Sequence, residues 1–142
     1  MLRRFAVSKK LILAVDDEPS ILLAVEDTLN LDYDVITAKT GREALKMIEK
    51  HKPALVVMDV MMPEMDGFTA IKEIRKTMAP SAPPVIFLSA KSGMADIEEG
   101  LKLGGFDYIT KPFSPAKLMK KVAEVLDRME MRKKIQQQSK KP

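Results

Sequence analysis

The sequence predicts an α/β protein: a doubly wound parallel sheet of five short strands alternating with five helices that cover both faces. Three observations predict it. Apolar runs such as Leu11–Val15 and Ala54–Met58 are unbroken rather than alternating, the pattern of strands buried on both faces. Each such run is followed by a stretch with apolar residues at helical spacing, the βαβα order of a parallel sheet. The runs also end at polar residues, Asp16-Asp17, Asp59 and Ser89, and open α/β sheets bind ligands outside the carboxyl ends of their strands.

Leu11–Val15 is the first strand, closed by the acidic cluster Asp16-Asp17-Glu18. Pro19 suits the first turn of a helix, where its missing N–H is no loss. Ile21, Leu22, Val25 and Leu29 then form a stripe that ends near Asn30. Tyr33–Ala38 reads as the second strand. Thr40 caps the next helix, with Glu43 three residues on in a capping-box pattern. That helix places Ala44, Leu45 and Ile48 on one face and closes around His51, an exposed helix-end imidazole.

The third strand, Ala54–Met58, delivers Asp59 where the chain leaves the core. Taken in isolation, an Asp there is more often a plain loop cap. Pro63 and the Asp66-Gly67 pair turn the chain into a helix over Gly67–Met78, marked by Phe68, Ile71, Ile74 and Met78. APSAPP is a loop, and Val85–Leu88 is a fourth strand ending at Ser89. A helix over Ala95–Leu103 is stopped by Gly104-Gly105. Phe106–Ile109 is the fifth strand, followed by Lys111-Pro112. Ser114 caps the last helix, Pro115 takes its first position, and Leu118, Val122, Val125, Leu126 and Met129 face inward.

One domain is expected over residues 9–129, with an N-terminal extension over 1–8 and a basic C-terminal extension over 130–142. The last helix should run to about Ile135 and then fray, because the apolar spacing fades faster than a coiled coil allows. The 142 residues carry 46% hydrophobic and 31% charged side chains, enough for one globular core. With no cysteine and one histidine, thiolate metal sites, disulfides and His-rich clusters are excluded. The net charge of +4 arises mainly at the ends, from Arg3, Arg4, Lys9, Lys10 and the tail from Arg132 to Lys141. Such a tail reads as a solvated terminus, so no direct nucleic-acid contact is expected. Arg3 and Arg4 precede an apolar run of only five residues, short of the roughly seven to fifteen of a signal peptide. No stretch approaches the ~20 apolar residues of a membrane span. A soluble, cytoplasmic protein without membrane contact is expected.

If all five strands point one way, right-handed crossovers gather their ends on one edge. Asp16, Asp17, Asp59, Ser89 and Lys111 then converge. Three carboxylates repel one another, and a hard divalent cation relieves them. Mg²⁺ favours one or two carboxylates with waters and phosphate oxygens. Carboxylate, Mg²⁺, lysine and hydroxyl together suit phosphoryl transfer onto a carboxylate nucleophile.

Four motifs then carry a resemblance: VDDEP at Val15–Pro19, MDVMMPEMDG at Met58–Gly67, LSA at Leu88–Ala90 and GGFDYITKPF at Gly104–Phe113. In this order and spacing the chain resembles a response-regulator receiver domain, the phosphoacceptor module of two-component signalling. The resemblance implies a flavodoxin-like sheet of order 2-1-3-4-5. It implies that Asp59 is the phosphoacceptor, that Asp17 holds Mg²⁺ directly and Asp16 largely through water, and that the Met61 carbonyl is a further ligand. Lys111 would pair with a phosphoryl oxygen. Ser89 would be drawn toward the phosphoryl group, and Tyr108 would follow it from exposed to buried. The Lys111–Pro112 peptide would be cis. Gly105 stands where the family usually has Ala, which would loosen the loop before the fifth strand. Implied partners are a sensor histidine kinase or phosphotransfer protein and an unknown downstream protein, the chain being a monomer or a phosphorylation-dependent dimer.

A Mg²⁺-dependent phosphatase of the aspartyl-nucleophile type is the competing enzyme. Such proteins resemble a strand ending in Asp-x-Asp, whereas Val60 and Met61 follow Asp59. A DNA-binding regulator would need an output domain, and about a dozen residues after Met129 cannot form a winged helix or a helix-turn-helix, so output is expected through partners, or the sequence is a piece of something longer. The expected function is therefore a phosphorylation-controlled binding module without turnover on a separate substrate. Met61 and Lys91 flank the expected path of an attacking water. Neither orients it, so a phosphorylated state lasting many minutes is expected.

Overall fold

The computed structural model describes residues 8–90, 94–102 and 107–139. Strands are β1 (Leu11–Val15), β2 (Asp34–Ala38), β3 (Leu55–Asp59), β4 (Val85–Ser89) and β5 (Asp107–Thr110). Helices are α1 (Pro19–Leu29), α2 (Gly41–His51), α3 (Gly67–Met78), α4 (Met94–Lys102) and α5 (Pro115–Ser139). The sheet order is β2-β1-β3-β4-β5, with every pairing parallel. The expected doubly wound, flavodoxin-like architecture is the one observed.

Strand alternation divides the core into two. On one face Ile12, Ala14, Leu55, Val57, Ile86, Leu88 and Ile109 meet the apolar stripes of α1 and α5. On the other, Leu13, Val15, Val56, Met58, Val85 and Phe87 meet those of α2 and α3. The unbroken apolar runs are explained by this: β3 and β4 are buried at every residue, while β2, at the edge, is only partly covered. Phe68 at the start of α3 packs edge-on against Phe87, ring centroids 5.1 Å apart.

The helix starts follow the sequence chemistry. Thr40 Oγ1 accepts from the Glu43 N–H, and Asp66 Oδ1 from the Thr69 N–H at 2.7 Å. Ser114 Oγ accepts from the Lys117 N–H. These bonds occupy N–H groups that have no partner within the first helical turn. His51 is the exposed last residue of α2, as expected.

Several boundaries differ from expectation. β2 starts at Asp34 rather than Tyr33, because the Tyr33 N–H is already bonded to the Leu29 carbonyl at the end of α1. β5 is displaced by one residue, to Asp107–Thr110. α5 continues to Ser139 instead of fraying at Ile135. Its last turns are dominated by Met, Arg, Lys and Gln, all good helix formers. A 2.9 Å ion pair between Lys10 and Glu130 also ties the helix to the start of β1. The Lys111–Pro112 peptide is cis, as the resemblance implied, and so is Ala79–Pro80, which nothing in the sequence marked. The expectations for Lys91, Gly104 and Gly105 lie outside the described residues. Among the described residues, no helix is long and apolar enough to cross a membrane.

Candidate functional site

Asp59 is the last residue of β3 and is buried, at 4% exposure. The ladder carries on past it, since the Val60 N–H donates to the Leu88 carbonyl at 3.1 Å. On the neighbouring strand the Asp16 N–H still donates to the Ala38 carbonyl, and beyond β5 the Lys111 N–H donates to the Ser89 carbonyl. These bonds hold the residues just past the strands in sheet alternation. Asp16, Asp59 and Lys111 therefore continue the parity of Ala14, Val57 and Ile109, and their side chains emerge on one face.

Their contacts bear this out. Lys111 Nζ lies 2.7 Å from Asp16 Oδ2 and 3.4 Å from Asp59 Oδ1. The other Asp16 oxygen, Oδ1, accepts from the Glu18 N–H at 3.0 Å, just before α1 begins at Pro19. Asp16 is thus buried with both oxygens engaged, while Asp17 beside it is exposed. Ligand oxygens of Asp16, Asp17 and Asp59 lie within 4.8 Å of one another. Ser89 is fully buried one register step past the Asp59–Leu88 pair. Tyr108 is half-buried opposite Phe87 and packs on the same core half as Phe87. Ser89 has the parity of Phe87, so Ser89 and Tyr108 share a sheet face.

Electrostatics follow from this crowding. Burial raises the Asp59 carboxyl above its ordinary range, and the Asp16 charge raises it further; Lys111 and a hydrogen bond from the Met61 backbone pull it back down. Burial alone would lower Lys111, but the hydrogen bond and charge of Asp16, then those of Asp59, more than offset it and leave the ammonium raised. Both shifts identify groups held in unusual surroundings.

Residues 16, 17, 59, 89 and 111 thus meet at one edge, as convergence of the strand ends predicts. Met61 lies in the loop after Asp59 and is 57% exposed. Its backbone contact to Asp59 was not anticipated from the sequence. Nor was the part played by Gly67, which the sequence marks only as a turn residue. A Cβ there would stand 2.5 Å from the Asp59 carbonyl oxygen, and the Gly67 N–H donates to the Val60 carbonyl at 2.9 Å. The start of α3 is pressed against the backbone of the Asp59 loop, and only glycine allows it.

A doubly wound sheet of this order with an acidic pocket at its strand ends defines the flavodoxin-like class typified by chemotaxis regulators. The sequence pattern described as the response regulator receiver domain matches residues 12–123, and the chain belongs to that family. It is 44% identical over 125 residues to a probable transcriptional regulator ycf27 of Porphyridium aerugineum, covering 87% of this chain and 51% of that protein. It is 45% identical over 123 residues to the alkaline phosphatase synthesis transcriptional regulatory protein PhoP of Bacillus subtilis, covering 86% and 50%. The chain thus spans about half the length of these curated relatives. Among solved structures it resembles the Vibrio cholerae chemotaxis protein CheY4, with TM-score 0.78 and 34% identity over 83% of this chain and 99% of that one.

Proposed function

We propose that this receiver domain accepts a phosphoryl group on Asp59 and thereby changes which protein it binds. The observation that carries this reading is the position of Asp59: buried at the end of the central strand, 3.4 Å from Lys111 and clustered with Asp16 and Asp17. A sensor histidine kinase or a phosphotransfer protein in the cytoplasm is the proposed donor. An Asp59 oxygen attacks phosphorus, the phosphorus–nitrogen bond of the donor phosphohistidine breaks, and the imidazole leaves with that electron pair. The product is an acyl phosphate, with no turnover on a separate substrate. Lys111, already bridging Asp16 and Asp59, is placed to take a phosphoryl oxygen.

The donor set fits Mg²⁺. All side-chain donors are carboxylate oxygens, and three carboxylates with one lysine leave −3 + 1 = −2, the charge a divalent cation balances. Asp17, exposed, would hold the ion directly with Asp59 and the Met61 carbonyl. Asp16, with both oxygens engaged, would act largely through water. When bound, the ion supplies positive charge to the oxygens of the transferring group.

Ser89 and Tyr108 are the proposed switch, supported by their shared sheet face. Ser89 bonding to the phosphoryl group would let Tyr108 turn further in, reshaping the surface of α4, β5 and α5 around Lys102, Tyr108 and Lys117. Lys91 and the side chain of Ile97, assigned to that surface from the sequence, lie outside what the structure describes. A downstream protein would read this face, with the domain as a monomer or a phosphorylation-dependent dimer.

Incubation with Mg²⁺ and acetyl phosphate, followed by intact mass, tests the reading. One added phosphoryl group is expected, with acetate released, and none in Asp59→Asn. Equal labelling of the variant on the same timescale would show that Asp59 is not the acceptor.

A further inference from the structure

The opposite edge of the sheet carries a second feature that phosphorylation does not explain. Beneath the amino ends of β1, β3 and β4, three hollows of about 510, 330 and 440 Å³ run together. Ser81 lines all three, so they form one groove. Its apolar surface comes from Leu11, the prolines around Ser81, Met78 and Met129, and its charges are Lys52, Arg132 and Lys133. Among the described residues, no acidic side chain lines it. One wall, Met129 to Gln136, is the part of α5 beyond the residues that match the receiver family.

A complementary projection stands on the same edge. Leu31 lies in the turn between α1 and β2 and is 86% exposed, more than any other large apolar side chain described. Asp32 and Asp34 beside it are exposed and form no ion pair among the described residues, and the same holds for Lys52 and Lys133 in the groove. The turn and the groove are linked through β1. Lys9 Nζ reaches the Asn30 carbonyl, Lys10 pairs with Glu130, and Leu11 lines the groove. A lone exposed leucine is ordinary. An exposed leucine flanked by unpaired carboxylates, on the edge that also holds an apolar, cation-lined groove, is a matched pair.

We propose that two copies of this chain associate through this edge, each seating Leu31 in the groove of the other. Asp32 and Asp34 then face Lys52, Arg132 and Lys133. Because projection and groove share an edge, one two-fold axis between them exchanges both contacts and closes the assembly at a dimer. The acceptor pocket lies at the other ends of the strands, so this association does not require phosphorylation.

Analytical ultracentrifugation over a micromolar concentration series, without any phosphodonor, tests it. A reversible dimer weakened by salt is expected. Leu31→Asp should weaken it at least ~tenfold, since each dimer loses two buried leucines. The pair Asp32→Lys/Asp34→Lys, or the pair Lys52→Glu/Lys133→Glu, should each weaken it, and all four changes together should restore it. The native chain lacks cysteine, so in a Leu31→Cys/Ser81→Cys variant a 31–81 disulfide between protomers, identified by peptide mass, would mark the contact. A monomer at all concentrations, species larger than a dimer, or a dimer indifferent to Leu31→Asp would overturn the proposal.

Discussion

Adding one methyl group at Gly67 tests how tightly the loop after Asp59 is held. In Gly67→Ala the new Cβ would stand 2.5 Å from the Asp59 carbonyl oxygen and 3.1 Å from Val60 Cα. Ordinary contact begins near 3.4 Å, so the shortfall to the oxygen is 3.4 − 2.5 = 0.9 Å. Both neighbours are backbone and cannot rotate aside, so α3 or the Asp59 loop must move. Overpacking of this kind costs about 1–3 kcal/mol. At ~2 kcal/mol, and ~3–4 °C per kcal/mol for a domain of this size, the melting temperature should fall by roughly 6–8 °C. A displacement approaching 1 Å at a reacting group lowers rates by up to ~100-fold, so labelling by acetyl phosphate should slow by one to two orders of magnitude. Gly41→Ala is the control: the nearest atoms to its Cβ belong to the Met65 side chain, at 3.0–3.1 Å and not 2.5 Å, and a methionine can give way more readily than backbone. Scanning calorimetry and timed intact mass read both effects. A Gly67→Ala protein that melts and labels like wild type would refute the reasoning.

Asp59→Asn should melt higher than wild type at neutral pH. Because the folded-state carboxyl is raised, chiefly by burial, its stabilising contribution is full below the unfolded value and is lost as pH rises through the folded one; the variant's advantage should therefore shrink toward pH ~4, and a gap independent of pH would contradict it. Mg²⁺ should raise the melting temperature, as any ligand selective for the folded state does, and Asp17→Asn should lose most of that gain; calorimetry across a magnesium series decides. Met61→Asn should shorten the life of the phosphorylated form by ~10-fold, about 1.4 kcal/mol in barrier, since the half-exposed methionine offers a water no hydrogen bond. Equal decay rates by intact mass would retire the shielding role.

Much of this was legible in the sequence because parallel sheets write plainly. β1, β3 and β4 are buried on both faces, so their runs are unbroken, and the polar residues that end them gather at one edge. Ser114 and Asp66 announced their helices through short-range chemistry. What could not be read depends on distances across the fold. Gly67 looks like any turn glycine until the Asp59 carbonyl is placed beside it. The unequal roles of Asp16 and Asp17 came only through the family resemblance; their physical basis, Asp16 held by Lys111 and the Glu18 N–H while Asp17 is exposed, is not in the string DD. The length of α5 was underestimated because apolar spacing was the guide, whereas its last turns rest on helix-forming side chains and on the Lys10–Glu130 pair.

The sheet also works as a partition. Asp16, Asp59 and Lys111 emerge with the parity of the half packed by α1 and α5, whereas Ser89 and Tyr108 belong to the half packed by α2 and α3. Under the proposed function, the reacting and responding groups thus project from opposite faces and meet at the strand ends. Where the two halves meet, the Lys111 N–H bonds the Ser89 carbonyl, so substitutions beside that bond should couple rather than add. On that reading, positions of the α2–α3 half away from the rim can change for a new listener while the Asp59 side is left as it stands.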